Sequence, residues 1–81
     1  MNSGKLFVGN LPWRATEQEL KDYFSPVGEV YEVKIIKDKT SGKSRGFGFI
    51  TMNNPEVAIA QLNGKMFGER PLIVSEAKQK N

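Results

Sequence analysis

The chain has 81 residues, of which 38% are hydrophobic and 26% are charged, and its formal net charge is +3. A chain of this length and composition forms one domain around a single core, and it is too apolar to be disordered. Cysteine and histidine are both absent. Because catalysis could then rest only on carboxylates, lysine or hydroxyl groups, we expect neither an enzyme nor a cofactor or metal site.

The amino-terminal segment has no targeting or membrane-spanning pattern. The apolar run that follows Lys5 is only three residues long, far shorter than a signal-peptide core or a transmembrane helix. We therefore expect a cytoplasmic protein, or a nuclear or organellar one in a eukaryotic cell, without membrane association.

The first half of the chain predicts a strand, a helix and a second strand. Residues 6–9 form a short apolar strand that ends before the turn-favouring Pro12. Thr16 and Glu19 have the spacing of a capping box at the start of a helix. Residues 30–36 alternate between apolar and polar side chains, which is the period of a strand.

The second half predicts a hairpin, a helix and a last strand. Residues 38–43 are rich in turn formers and precede the strand of residues 45–52. Asn54 is the predicted N-cap of the second helix, with Pro55 at its first position, and residues 72–75 form the last strand. The element order βαββαβ indicates an α+β domain of the split βαβ type.

The third strand places two aromatic rings on one face. Phe47 and Phe49 are two residues apart, whereas Ile50 has the opposite parity and suits packing under helices. Two helices cover only one face of a four-stranded sheet, so apolar surface must remain on the other. With Val8 as a core residue, Phe7 joins this outward face. The pattern alone also permits the reverse orientation, with the three rings in the core.

Positive charge is concentrated beside the aromatic pair. Between residues 34 and 45, one acidic residue, Asp38, stands among five positive ones, which are Lys34, Lys37, Lys39, Lys43 and Arg45. A solvated loop is the ordinary alternative for such a run. Its position next to the rings favours a surface on which nucleic-acid bases stack while cations hold phosphates.

Two segments resemble the paired motifs of the RNA-recognition motif family. Residues 6–11 (LFVGNL) resemble its hexapeptide and residues 45–52 (RGFGFITM) its octapeptide, in the family's order on the first and third strands. The resemblance covers about residues 4–78 of a single domain spanning residues 1–81. It is strongest to the short single-motif proteins of bacteria and the glycine-rich ones of plants and cyanobacteria. It implies a ferredoxin-like βαββαβ sandwich, with a four-stranded antiparallel sheet and two helices on one face.

The resemblance also implies roles for individual residues. Phe7 and Phe49 would stack on consecutive bases of single-stranded RNA, and Phe47 would pack against the sugars between them. Arg45 would bind a phosphate, and the last strand and tail would bind base edges. The residues expected to bind RNA are Lys5, Phe7, Lys34, Lys39, Lys43, Arg45, Phe47, Phe49, Ile73, Ser75, Glu76 and Lys78.

Two features depart from the family pattern. Met52 stands where an aromatic residue is usual, and its inward parity makes this a matter of core packing. Residues 53–64 form a segment about three residues shorter than usual, close to one helical turn. The shorter helix would leave less cover over the sheet and lower stability.

We expect a monomer that binds single-stranded RNA, with a role in post-transcriptional regulation or RNA chaperoning. Single-stranded DNA stays open as a partner because stacking alone does not distinguish the two nucleic acids. The alternative function is a protein-interaction domain of the same fold, which would use the sheet or the acidic helix face.

Overall fold

A computed structural model describes residues 3–12, 14–37, 40–42 and 44–77, and it leaves the side chains of Ser44 and Arg45 undescribed. This part of the chain forms strands, two α-helices and a short 3₁₀ turn. In chain order they are β1 (Ser3–Gly9), α1 (Glu17–Phe24), the 3₁₀ turn (Ser25–Val27), β2 (Val30–Lys37), β3 (Ser44–Asn53), α2 (Pro55–Leu62), β4 (Met66–Phe67), β5 (Arg70–Pro71) and β6 (Ile73–Glu76).

Four strands form one antiparallel sheet in the order β2-β3-β1-β6. The two motif-bearing strands, β1 and β3, are therefore central neighbours, and Phe7 lies directly opposite Phe49. Helix α1 packs on β2, while α2 packs on β1 and β6. This arrangement confirms the α+β ferredoxin-like fold expected from the order of the elements.

The core lies between the helices and one face of the sheet. Met52 is completely buried, at 0% exposure, which confirms its predicted inward orientation. Phe24 of α1 is buried to the same extent and is the largest buried side chain. The buried cluster consists of Leu6, Val8, Leu11, Leu20, Phe24, Ile35, Ile50, Met52, Ala58, Leu72 and Val74.

Helix α1 begins with the predicted capping box. The Glu19 backbone N–H donates to Thr16 Oγ1 at 3.1 Å, and the Thr16 N–H donates to Glu19 Oε1 at 3.0 Å. These two bonds satisfy donors that the first helical turn would otherwise leave unpaired. The entry of the chain into α1 is thus determined locally by the sequence.

The start of α2 lies where the sequence predicts it, but it has no side-chain cap. Pro55 is its first residue as predicted, but Asn54 adopts a left-handed conformation (φ 55°, ψ 57°) and its side chain forms no capping bond. A capping side chain reaches the helical N–H groups from an extended backbone, and the left-handed geometry turns it away. The prediction of Asn54 as the N-cap residue is therefore confirmed in position, while its side chain makes no capping bond.

A second small sheet, formed by β4 and β5, was not predicted. Its two strands have two residues each, too few to show a strand period in the sequence. The Tyr23 hydroxyl donates to the Met66 carbonyl at 2.9 Å, and the ring centroids of Tyr23 and Phe67 lie 5.0 Å apart. These contacts anchor the small hairpin to α1.

Side chains cover both edges of the main sheet. At the β2 edge, the Ile35 N–H donates to Glu17 Oε2 at 3.3 Å, and at the β6 edge the Val74 N–H donates to Asn63 Oδ1 at 2.9 Å. Such bonds occupy donors that would otherwise be free to pair with another strand. Among the residues described, no helix has the length and apolar character needed to cross a bilayer.

Candidate nucleic-acid interface

Three neighbouring rows of side chains lie on the face of the sheet opposite the helices. Residues that lie opposite each other in antiparallel strands point to the same side, so the strand register defines each row. The first row contains Glu32, Thr51 and Lys5; the second contains Lys34, Phe49, Phe7 and Ser75; the third contains Phe47, Gly9 and Ile73. We call this surface the aromatic face.

The three phenylalanine rings at the centre of the aromatic face contact one another. Ring centroids are 5.7 Å apart for Phe7 and Phe47, with a near-parallel interplanar angle of 29°. Phe49 meets both of the other rings edge-on, at 6.0 Å from Phe7 and 6.1 Å from Phe47. All three are only partly buried and lie outside the core cluster. The structure thus places the rings on the open side of the sheet, as strand alternation and layer counting predict.

Two glycines allow the strands to bring the rings this close together. A Cβ on Gly48 would lie 2.5 Å from the Lys34 carbonyl oxygen on β2, so only glycine fits between the two strands. A Cβ on Gly9 would lie 2.8 Å from Cε2 of Phe7, on the aromatic face itself. The absent side chain at Gly9 therefore leaves space that the Phe7 ring occupies.

Two of the predicted lysines border the rings. Lys5 Nζ lies 5.7 Å from the centroid of the Phe49 ring, within the range of a cation–π contact. Lys34 is exposed and lies opposite Phe49 on β2. Lys39, Lys43 and Lys78 lie outside the described residues, as does the side chain of Arg45, whose backbone belongs to β3.

Strand β6 brings two of its three predicted residues to the aromatic face. Ile73 lies opposite Gly9 and is 53% exposed, and Ser75 lies opposite Phe7. Glu76 lies opposite Leu6, so its side chain leaves the sheet on the side that the helices cover. Because successive strand residues alternate between faces, the Glu76 side chain does not join the aromatic face, and its contact with RNA stays a prediction.

Some residues of this surface were absent from the predicted set. Glu32 and Thr51 share a row with Lys5, and strand parity together with the register places both on the aromatic face.

Asn10 joins β1 to the small hairpin, because its Nδ2 donates to the Pro71 carbonyl at 2.8 Å and its Oδ1 accepts from Arg70 Nη1 at 3.4 Å. Arg70 is thereby held beside the end of β1. No local sequence pattern signals that contact across 60 residues.

The chain matches a known family along most of its length. The family model for the RNA recognition motif matches residues 6–73. Among curated proteins, the chain is 43% identical over 75 residues to cleavage stimulation factor subunit 2 tau variant of Homo sapiens. That match covers 89% of the chain and 12% of the human protein, so the chain spans a small part of the length of the curated relatives it matches.

Solved structures with the same fold cover nearly the whole chain. The crystal structure of RNA binding protein PG1 is 36% identical with a TM-score of 0.88, and it aligns over 96% of this chain and 98% of its own. The RNA-recognition motif of Rna15 with bound RNA (GU) is 29% identical with a TM-score of 0.81, over 95% and 85% of the two chains. The shared architecture therefore includes the sheet that carries the aromatic face.

Proposed function

Because the chain belongs to the RNA recognition motif family, we propose that it is a binding module for single-stranded RNA and has no catalytic role. The aromatic face is the proposed binding surface. The observation that carries this proposal is the cluster of three partly exposed rings, Phe7, Phe47 and Phe49, with lysines beside it. A role in post-transcriptional regulation or RNA chaperoning stays a prediction.

The ring geometry suits two consecutive bases. Phe7 and Phe49 lie on neighbouring strands, directly opposite each other, with ring centroids 6.0 Å apart. Each ring offers a partly exposed surface to one base, and Phe47, in the next row toward the loop end of β3, packs against the sugars. Arg45 is proposed to hold a phosphate. Unpaired bases are required, since only they can leave their own stack to lie on a side chain.

The affinity that this surface supports is modest. Stacking contributes about 1–3 kcal/mol per base, so two stacked bases contribute roughly 2–6 kcal/mol. A Kd near 1 μM corresponds to about 8 kcal/mol. Contacts to phosphates and base edges must provide the difference, and the lysines and strand β6 border the rings where such contacts would form.

Relatives of known structure support RNA as the partner. One similar structure is the Rna15 motif with bound RNA (GU), and another is an Sxl-lethal protein/RNA complex, 33% identical with a TM-score of 0.83 over 90% of this chain and 47% of its own. Both share the sheet on which this chain carries its rings. They are the reason to prefer RNA over single-stranded DNA.

Fluorescence anisotropy with labelled octamers of mixed sequence tests the proposal. We expect micromolar binding to single-stranded RNA and much weaker binding to the same RNA as a duplex, because paired bases cannot stack on the rings. Phe7→Leu should weaken binding to the single strand, whereas Tyr31→Leu, which removes an exposed ring away from the aromatic face, should leave it unchanged. Equal affinity for single strand and duplex would contradict the proposal.

A further inference from the structure

A shallow depression of about 120 Å³ lies on the aromatic face beside Phe49. Its lining consists of Lys5, Glu32, Lys34, Phe49 and Thr51. Among the described residues of this lining, Glu32 is the one acidic side chain. A carboxylate at this position repels phosphate groups, so it opposes the general attraction of the surface for RNA.

The strand register places Glu32 within reach of a base stacked on Phe49. Glu32 lies opposite Thr51, and Lys34 on the same strand lies opposite Phe49, so Glu32 is a diagonal cross-strand neighbour of the Phe49 ring. Diagonal neighbours are roughly 7–8 Å apart at their Cα atoms, a distance that long side chains can span. The edge of a base on that ring would therefore face the Glu32 row.

The charged groups of the depression are available to a ligand. Glu32, Lys5 and Lys34 are all exposed. Within the described ranges, the Glu32 carboxylate has no ion pair with either lysine, although both border the same depression. The Glu32 carboxylate, which is an acceptor, and the ammonium groups of Lys5 and Lys34, which are donors, thus surround the space above Thr51. Among the residues described, the carboxylate forms no ion pair with either ammonium group.

Hydrogen-bond chemistry selects the base that fits these groups. An ionised carboxylate can only accept hydrogen bonds, whereas an ammonium group can only donate them. Guanine presents two adjacent donors, N1–H and the N2 amino group, and its O6 and N7 are acceptors. Uracil presents a single donor between two carbonyl oxygens, and adenine and cytosine each present one amino group next to an acceptor nitrogen. Only guanine offers the carboxylate a two-bond contact.

We propose that Glu32, together with Lys5 and Lys34, forms a guanine-selective subsite for the base that stacks on Phe49. This inference rests on the proposed function, since it requires that RNA lies on the aromatic face. Glu32 accepts from N1–H and the N2 amino group, and one of the lysines donates to O6. The depression bordered by Thr51 holds that edge of the base.

Four RNA heptamers that differ only in the central base test the proposal. They are UUUGUUU, UUUAUUU, UUUCUUU and UUUUUUU, titrated against the whole chain. A bidentate contact to a base discriminates by a factor of roughly 5 to 150, so we expect the guanine heptamer to bind at least about fivefold more tightly than the others. Glu32→Gln should reduce this preference to less than about twofold, because an amide offers only one acceptor.

The matched control is Glu29→Gln, which removes the same charge from an exposed residue that does not line the depression. This variant should retain the guanine preference. If Glu32→Gln retains it as well, or if the wild-type chain binds all four heptamers equally, the guanine subsite is refuted while RNA binding stands. If the wild-type chain binds none of them, the proposed function fails and the subsite fails with it.

Discussion

Replacing Phe49 by Ala isolates the contribution of one stacking ring. The change removes a partly exposed side chain that lies outside the core cluster, together with its contact to Lys5 Nζ at 5.7 Å. Loss of one base stack costs about 1–3 kcal/mol, which raises the Kd for single-stranded RNA by a factor of roughly 5 to 150. The change also removes the edge-on contacts of Phe49 with the rings of Phe7 on β1 and Phe47 on β3.

The cost to folding should be smaller than the cost to a core residue. The cation–π contact with Lys5 contributes about 0.5–1 kcal/mol at an exposed site, and each edge-on contact with Phe7 or Phe47 adds about 0.5–1.5 kcal/mol. Replacing the fully buried Phe24 by Ala would instead cost about 3–5 kcal/mol. Urea denaturation of both variants therefore separates a binding residue from a structural one.

Isothermal titration with a short RNA of mixed sequence measures the binding effect. Phe49→Tyr retains an aromatic ring and should bind within about twofold of the wild-type chain. Tyr31→Ala is the matched control, because Tyr31 is 51% exposed but lines a groove beside α1 instead of the aromatic face. A folded Phe49→Ala variant whose Kd is within twofold of the wild-type value would show that the Phe49 ring does not stack on a base.

Four further substitutions test the local structure and the charge. Gly9→Ala should weaken RNA binding with little loss of stability, as titration and melting would show, because the new Cβ would lie 2.8 Å from the Phe7 ring and displace it. Gly48→Ala should lower the free energy of unfolding by about 1–3 kcal/mol in urea, since its Cβ would collide with the backbone of β2. Thr16→Ala should cost about 1 kcal/mol in the same assay through loss of the capping bond. Lys39→Gln should reduce the slope of log K against log salt by about 0.7 if this lysine contacts a phosphate, and an unchanged slope would exclude that contact.

The orientation of the aromatic face could be predicted because it follows from counting layers. Two helices can cover only one side of the sheet, and compact residues such as Ile50 fit beneath them better than three rings do. Strand parity then determined the placement of Phe7, Phe47 and Phe49. The capping box at Thr16 was likewise predictable, because all of its atoms come from four consecutive residues.

Features that depend on strand register could not be predicted from the sequence. Strand β2 has irregular pairing between Val30 and Glu32 and again between Ile35 and Lys37, so its partners on β3 cannot be counted along the chain. The row that joins Glu32 to its neighbours on β3 and β1 became visible only with that register. Residue preference likewise predicted the position of Asn54 as N-cap, but not its left-handed backbone, which leaves the side chain without a capping bond.

A nuclear magnetic resonance titration with single-stranded RNA, followed residue by residue, shows whether RNA lies on the aromatic face. We expect ring and amide shifts to change at Phe7, Phe47 and Phe49 and at the neighbouring Ile73, and the exposed ring of Tyr31 to show no change. Shift changes confined to α1 and Tyr31, or none at the three rings in the presence of saturating RNA, would contradict RNA binding at this face.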